Sequence, residues 1–211
     1  NSVALVQPEG EATELTIVCA FTVEHVPFPG DLLTLDPTAE FLPFAYSLQD
    51  RLDLEHYLRP HHDDPDGVLL RWAHQFLHSD APNSTRETLR RMNAHIHQHF
   101  KYQSRDEEGT QTPLQTLVAG GGSCRDYALL MMEAARRLGV ATRFVSGYLY
   151  DPALDAAAPQ AGESIVGAGA THAWLQADLP GAGWVAFDPT NDLMGSGHLL
   201  DMPTDFPRPS L

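Results

Sequence analysis

Three glycines and a serine lead directly into Cys124, and this segment constrains the fold more than any other part of the sequence. Consecutive glycines disfavour a helix interior, so the helix indicated by the apolar positions that follow must begin near the cysteine. Gly139 is placed to end that helix. Its apolar stripe comprises Tyr127, Leu130, Met131, Ala134 and Leu138. The sequence therefore predicts a helix with a cysteine in its first turn.

A cysteine in that position is suited to act as a nucleophile. The helix N-terminus favours negative charge, and the thiolate is the form that attacks. The N–H groups of the first turn point outward, so the Cys124 N–H could donate to an oxyanion formed during attack. The preceding glycines would let a substrate backbone come close. Cys19 lies within an apolar strand pattern, and we interpret it as a buried structural residue.

A histidine and an aspartate follow at the ends of two predicted strands, 171–178 and 184–187, which are joined by a turn at 179–183. If these strands pair antiparallel, His172 and Asp188 lie at the same end of the resulting hairpin. An aspartate that accepts a hydrogen bond from imidazole fixes the tautomer and stabilises the imidazolium. We therefore predict a triad of Cys124, His172 and Asp188.

The rest of the chain divides into two parts. Residues 1–26 alternate in the period-2 pattern of a half-buried sheet, so we predict a partial β domain at 1–32. A core follows at 33–211, irregular at first, with helices from Asp66 and from Ser84. Within it, the Gly- and Ala-rich stretch 151–169 is interpreted as a mobile insertion. The chain after Asp188 is rich in Pro and Gly and is expected to be an irregular tail.

Composition limits the partners. Asp and Glu number 28 against 13 Lys and Arg, a net charge of −15, which disfavours nucleic acid and anionic membrane surfaces. Two cysteines cannot form a disulfide framework, which indicates either a reducing compartment or one functional thiol, and we expect a cytoplasmic location. No apolar run is long enough to span a bilayer. The chain begins at Asn1 and has no basic-then-apolar leader, and we expect it to be part of a longer protein.

Four separated motifs occur in order between about residues 112 and 191. They are Cys124 opening a helix, the strand from Gly139 to Arg143, His172-Ala173-Trp174, and the stretch from Trp184 to Asn191. Together they resemble the core of the transglutaminase-like superfamily, and more narrowly bacterial proteins described as cysteine proteases. The strands at 1–26 resemble the back half of the β domain that precedes this core. One departure is Arg125, because many relatives carry Gln after the cysteine.

The resemblance implies an α+β, papain-like cysteine-hydrolase fold, with helices packed on an antiparallel sheet and a Cys–His–Asp triad. The expected reaction is acyl transfer from an amide or peptide carbonyl through a thioester, with a peptide or protein substrate and no metal or cofactor. A protease, an amidase and a transglutaminase share this intermediate, and the acceptor, water or an amine, stays open. For the second oxyanion donor, Tyr102 and Trp174 are the candidates. Asp126 is interpreted as a first-turn partner of the helix dipole.

Two alternatives stay open beside this interpretation. The domain could keep the fold but bind peptides without catalysis. Histidines four residues apart, His74 with His78 and His95 with His99, could instead bind a metal if both pairs lay on facing helices. No acidic residue with ligand spacing accompanies them. The sequence does not indicate an oligomeric state.

Overall fold

The computed structural model describes residues 33–105, 108–151 and 171–201, together with the isolated positions 10, 13, 16, 24, 26 and 30. The predicted β domain at 1–32, including Cys19, and the predicted insertion at 151–169 therefore lie outside the described residues, apart from those isolated positions and Asp151. Both interpretations stay predictions.

The described helices and strands have the following bounds. The helices are α1 Leu48–Asp53, α2 Glu55–Leu58, α3 Val68–His74, α4 Thr85–His99, α5 Pro113–Ala119 and α6 Cys124–Arg137, with a short 3-10 helix at Pro37–Ala39. The strands are β1 Phe41–Leu42, β2 Asn83–Ser84, β3 Lys101–Tyr102, β4 Gly121–Gly122, β5 Thr142–Leu149, β6 Thr171–Leu179, β7 Gly183–Asp188, β8 Leu193–Met194 and β9 Leu199–Asp201.

The central helix, α6, begins at Cys124 as the glycines before it predict. The Asp126 carboxylate accepts from the N–H of Ser123 at 2.8 Å and from its hydroxyl at 2.9 Å, which ties the first turn to the N-cap. Gly139, at φ 83°, follows the helix and adopts a left-handed conformation that favours glycine. Every residue from Asp126 to Arg136 is buried, so α6 is enclosed by the rest of the domain.

A five-stranded sheet of order β8-β7-β6-β5-β9 packs against α6, and all its neighbouring strands pair antiparallel. The turn between β6 and β7 contains Gly181 and Gly183 at φ 90° and 71°. A Cβ at Gly181 would lie 2.5 Å from the Asp36 backbone nitrogen, so this turn also needs glycine for close packing. The predicted α+β architecture of helices on an antiparallel sheet is confirmed.

Two apolar clusters hold the layers together. The larger lies between the helices and the sheet, and includes Leu69 of α3, Met92 of α4, Leu130 of α6 and Phe187 of β7. The smaller is centred on Trp174, which is fully buried among Val145, Leu149, Ala186 and Leu199. Burying each large side chain contributes about 1.5–3 kcal/mol to folding. The sheet thus has apolar packing on both sides.

Two expectations for irregular structure were wrong for the described residues 36–62 and 189–201. The Pro-punctuated stretch 36–62 contains the 3-10 helix, β1, α1 and α2. The chain after Asp188 contains β8 and β9, and β9 pairs with β5 from Gly147↔Asp201 to Leu149↔Leu199. These elements are only two to six residues long, too short to show a periodicity among prolines and glycines.

The glycines before Cys124 have a packing role within the chain itself, beside the substrate approach that was expected of them. β4, Gly121–Gly122, pairs in parallel with β3, Lys101–Tyr102. A Cβ at Gly121 would collide with the Lys101 carbonyl oxygen, and one at Gly122 would lie 2.8 Å from Asp126 Cβ. Close packing within the chain therefore requires glycine at both positions, and the β3–β4 pairing brings Tyr102 alongside the start of α6.

Candidate active site

Cys124 lies where the start of α6 meets the start of β6. Its side chain lines a pocket of about 540 Å³ together with Tyr102, Ser104, Arg105, Ser123, Arg125, Phe144, Ser146, Thr171, His172 and Ala173. Burial raises the pKa of the thiol, but His172, by hydrogen bond and charge, and the backbone N–H groups of Ala173 and Arg125 outweigh it and lower the pKa overall. These contacts favour the thiolate.

The hairpin register brings His172 and Asp188 to one face of the sheet. β6 and β7 pair at Leu175↔Phe187 and Gln176↔Ala186. In this register Asp188 lies opposite Trp174, and Trp174 is two residues from His172 along β6. Residues two apart on a strand point to the same face. His172 Nε2 lies 2.9 Å from Asp188 Oδ2, with 1% of the His172 side chain and none of the Asp188 side chain exposed.

The imidazole is held between an acid and a thiol. Burial lowers the pKa of His172, but its hydrogen bonds to Asp188 and Cys124 and the charges of both groups outweigh burial and raise the pKa to about 9. Because Nε2 contacts Asp188, Nδ1 is the ring nitrogen that remains for Cys124. The structure thus brings together all three residues of the predicted triad.

The Asp188 carboxylate is fixed by the residues that follow it. Oδ1 accepts from the Thr190 N–H at 2.9 Å, and Oδ2 accepts from Asn191 Nδ2 at 2.8 Å. Thr190 and Asn191 were not among the predicted site residues. Asp188 itself was the available signal for Thr190, since an aspartate side chain often bonds to the backbone two residues on.

Helix α4 contacts the residues just after Asp188, 189–192, which we call the Asp188 loop. The Thr190 carbonyl oxygen lies 2.8 Å from His97 Nδ1, and the buried Asn93 donates from Nδ2 to Asp192 Oδ1 at 2.8 Å. Asp192 has φ 53°, a left-handed conformation uncommon outside glycine. Nothing in the sequence pattern pointed to these contacts, which join positions far apart in the chain.

The oxyanion candidates occupy different places. Tyr102 lines the pocket and is 38% exposed. Trp174 is fully buried, and its ring stacks at 6.1 Å from that of His172. The Cys124 backbone lies at the first position of α6. Trp174 is therefore placed behind the imidazole rather than in the pocket wall.

Asp126 is buried and bound by several donors. Besides Ser123, it accepts from the Gln111 N–H at 2.7 Å and from Arg105 Nη1, which lies 3.0 Å from both carboxylate oxygens. Burial raises the pKa of Asp126, but these hydrogen bonds outweigh it and lower the pKa overall. The carboxylate joins the helix start to the segment before α5.

The histidine pairs do not form the arrangement needed for a metal site. α3 ends at His74, so His78 is not on the same helix. His95 and His99 stack with ring centroids 4.2 Å apart, and His99 Nδ1 contacts the His95 carbonyl oxygen. Within the described residues, no group of three or more His, Cys, Asp or Glu side chains is arranged to hold a metal ion.

A larger cavity of about 720 Å³ lies beside α1 and α2, and its described lining includes no cysteine or histidine. Of these two pockets, the smaller one contains the thiol and the imidazole. In the described part of the chain, no helix has the length and apolar character needed to cross a membrane.

Comparison with known proteins identifies relatives of this chain. The chain is 34% identical over 111 residues to the uncharacterised protein Rv2569c of Mycobacterium tuberculosis, a match covering 50% of this chain and 33% of that protein. It is 42% identical over 72 residues to the uncharacterised protein ML0607 of Mycobacterium leprae, covering 34% and 23%. The matches thus span a third or less of these relatives' lengths.

A solved structure shares the fold. A proposed cysteine protease of Cytophaga hutchinsonii superimposes with a TM-score of 0.52 at 22% identity, covering 74% of this chain and 49% of that one. At this identity the likeness concerns the fold alone. The family description "Transglutaminase-like superfamily" matches residues 71–189, more than half of the chain. The chain therefore belongs to the transglutaminase-like superfamily.

Proposed function

We propose that this domain catalyses thiol-dependent acyl transfer from an amide or peptide bond, with Cys124 as nucleophile, His172 as acid and base, and Asp188 as the group that orients His172. The observation that carries the proposal is the continuous contact from Asp188 through His172 to Cys124 at one pocket. The lowered pKa of the thiol and the raised pKa of the imidazole suit a thiolate–imidazolium pair.

The steps follow from this pair. The Cys124 thiolate attacks the amide carbonyl, a C–S bond forms, and the oxyanion is stabilised by the Cys124 backbone N–H, with Tyr102 as the candidate second donor. His172 gives its proton to the leaving nitrogen as the C–N bond breaks, which leaves a thioester. His172 then removes a proton from the water or amine as it attacks the thioester, and the C–S bond breaks, which releases the product and restores the thiolate–imidazolium pair.

The acceptor determines the type of enzyme. Water gives a protease or an amidase, and an amine gives a transglutaminase. The proposed partner is a peptide or protein substrate, and the proposed location remains the cytoplasm. Because the matches cover a third or less of the mycobacterial relatives, the activity proposed is that of this domain.

The test is activity profiling with peptide amides, comparing wild type with Cys124→Ala and using Cys19→Ser to remove the second thiol. We expect ammonia, amine or cleaved peptide from wild type and Cys19→Ser, and none from Cys124→Ala. Iodoacetamide at pH 6–7 provides the discriminating measurement. Stoichiometric labelling of native Cys124 supports the enzyme, whereas labelling confined to denatured protein would favour a catalytically silent peptide-binding domain.

A further inference from the structure

Trp174 is the largest fully buried side chain of the domain's described residues, and it belongs to the smaller apolar cluster. It follows His172 by two residues on β6, so both side chains point to the same face of the sheet. The indole lies at 26° to the imidazole, with 6.1 Å between the ring centroids. Nearly parallel, offset rings at such a separation attract each other. The indole therefore forms an apolar wall beside the imidazole.

The ladder between β5 and β6 leaves room for the indole at this place. Gly147 pairs with His172 across the two strands, and residues directly opposite each other share a face of the sheet. A Cβ at Gly147 would lie only 2.5 Å from Trp174 Cη2. The indole thus occupies space that a side chain opposite His172 would otherwise fill.

Polar contacts do not explain the position of Trp174. A buried indole N–H usually finds a hydrogen-bond partner, but Trp174 Nε1 has none in the part of the chain that the structure describes. An unpaired buried donor is unfavourable, so the packing of the indole ring must outweigh that loss. Trp174 is also not among the described lining residues of the Cys124 pocket. The ring of Trp174, and not its N–H, is therefore the part that acts on the site.

The imidazole of His172 has to be held in one plane. Nε2 lies 2.9 Å from Asp188 Oδ2, and the ring also forms a hydrogen bond with Cys124. Both contacts are made in the plane of the ring, so a rotation of the ring weakens them together. The torsion that turns a histidine ring has broad minima and does not fix the plane by itself. A rigid, buried and nearly parallel neighbour restricts that rotation.

We propose that Trp174 is a positioning residue for His172, whose indole keeps the imidazole in the plane where one ring nitrogen meets Asp188 and the other meets Cys124. This inference rests on the acyl transfer proposed above, and it replaces the oxyanion role expected for Trp174. Loss of the flat ring should loosen the imidazole and leave the described pocket wall in place. The thiolate then loses part of its support from His172.

The pH dependence of Cys124 alkylation by iodoacetamide, measured in a Cys19→Ser background, provides the first test. Trp174→Met fills the space with a flexible apolar chain, whereas Trp174→Phe keeps a flat ring. We expect the midpoint of alkylation to rise by about 0.5–1 pH unit in Trp174→Met and to stay near the wild-type value in Trp174→Phe. Trp174→Leu takes the place of Trp174→Met, with the same expected result, if the methionine variant does not fold.

Phe76→Met is the matched control, because Phe76 is a buried aromatic residue of the larger apolar cluster. Urea unfolding should show lost stability in both methionine variants, but the control should keep the wild-type alkylation midpoint. A Trp174→Met midpoint equal to that of Phe76→Met would overturn the proposal. A Trp174→Phe midpoint no closer to wild type than that of Trp174→Met would overturn it too, because a flat ring would then have no special effect.

Turnover of a peptide amide, expressed per labelled thiol, separates positioning from substrate binding. We expect Trp174→Met to lower kcat by about 10- to 100-fold, because a small displacement of the base misaligns it, and to leave KM unchanged. A raised KM with the kcat of Phe76→Met would overturn the proposal. Failure of native Cys124 to react with iodoacetamide at pH 6–7 would contradict the proposed function itself, whereas normal reactivity with equal midpoints in all variants contradicts this inference alone.

Discussion

Asp188 Oδ2 lies 2.9 Å from Nε2 of His172, inside a protein interior where both side chains are almost completely excluded from solvent. A buried carboxylate in this position stabilises the imidazolium and holds the ring in one orientation. The imidazole also forms a hydrogen bond with Cys124. A substitution at Asp188 should therefore alter the thiol through its effect on the His172 ring. The first two predictions concern this chain of contacts.

The Cys124 thiol should titrate below the value of a free cysteine, about 8.5. His172 and two backbone N–H groups outweigh burial and lower its pKa, so thiolate should form while His172, with a pKa of about 9, is still protonated. We expect the iodoacetamide rate of Cys19→Ser to rise through a midpoint below 8.5 as pH increases. His172→Ala should move the midpoint upward. A wild-type midpoint at or above that of free cysteine would contradict the activated thiol.

His172 and Asp188 should differ in how much activity their removal costs. His172→Ala removes the proton acceptor itself, so it should reduce turnover about as much as Cys124→Ala. Asp188→Asn or Asp188→Ala should leave measurable residual activity, because His172 remains although its ring is poorly fixed. Turnover of a peptide amide at pH 7 measures the difference.

Asp178 provides the control for that comparison. It lies near the opposite end of β6, opposite Trp184, so Asp178→Ala should retain turnover. If Asp188→Ala behaved like wild type while Asp178→Ala were inactive, the orienting carboxylate would be wrongly assigned.

Much of the triad's placement follows from local sequence signals. The glycines and the apolar stripe give α6 its start and length, and two strands with a glycine turn give the β6–β7 hairpin. Period-2 alternation then puts His172 and Asp188 on one face. Each step depends on neighbours close in sequence, which is why these residues could be placed before the structure was known.

Contacts between distant segments could not be predicted in the same way. The β3–β4 ladder is two residues long on each side and carries no periodicity. Arg105 reaches Asp126, and α4 reaches the Asp188 loop, only because tertiary packing brings those segments together. Residues 33–62 likewise form short elements that are stabilised by contacts such as Tyr46 with the Asp178 carbonyl oxygen.

The contact between α4 and the Asp188 loop gives a third prediction. Asn93 is buried and donates to Asp192 Oδ1 at 2.8 Å, so Asn93→Ala should destabilise the fold by about 1–3 kcal/mol. It should also lower kcat by about 10- to 100-fold, because a small displacement of Asp188 misaligns His172. Urea unfolding and peptide-amide kinetics measure the two effects separately.

Gln98→Ala is the control on the same helix, because Gln98 is exposed. It should change neither stability nor kcat appreciably. If Asn93→Ala lost stability but kept the kcat of Gln98→Ala, Asn93 would support the fold without positioning Asp188.

The last prediction concerns Glu133, a fully buried carboxylate on α6 away from the pocket. It pairs with Arg136 at 3.0 Å and Arg137 at 2.9 Å, and it accepts from the N–H groups of His61 and His62. Removing one partner of a buried ion pair leaves charges without compensation. Glu133→Gln should therefore lower the free energy of unfolding at pH 7 by about 3–5 kcal/mol, whereas the exposed Glu87→Gln should change it by less than about 1 kcal/mol.

The pH dependence of that difference tests the electrostatic origin of the effect. Burial raises the pKa of Glu133, but the His61 and His62 N–H groups and the two arginines outweigh burial and lower the pKa overall. A carboxyl whose pKa is lower in the folded state stabilises the fold above its unfolded pKa, about 4.3, and loses this contribution as pH falls through the folded value. The stability gap between wild type and Glu133→Gln should therefore be constant between pH 6 and 7, in the fully ionised range, and should narrow progressively below about pH 4. Urea unfolding across that range measures it. If the stability gap stayed constant below pH 4 as well, the lost stability of Glu133→Gln would come from altered packing and not from the carboxylate charge.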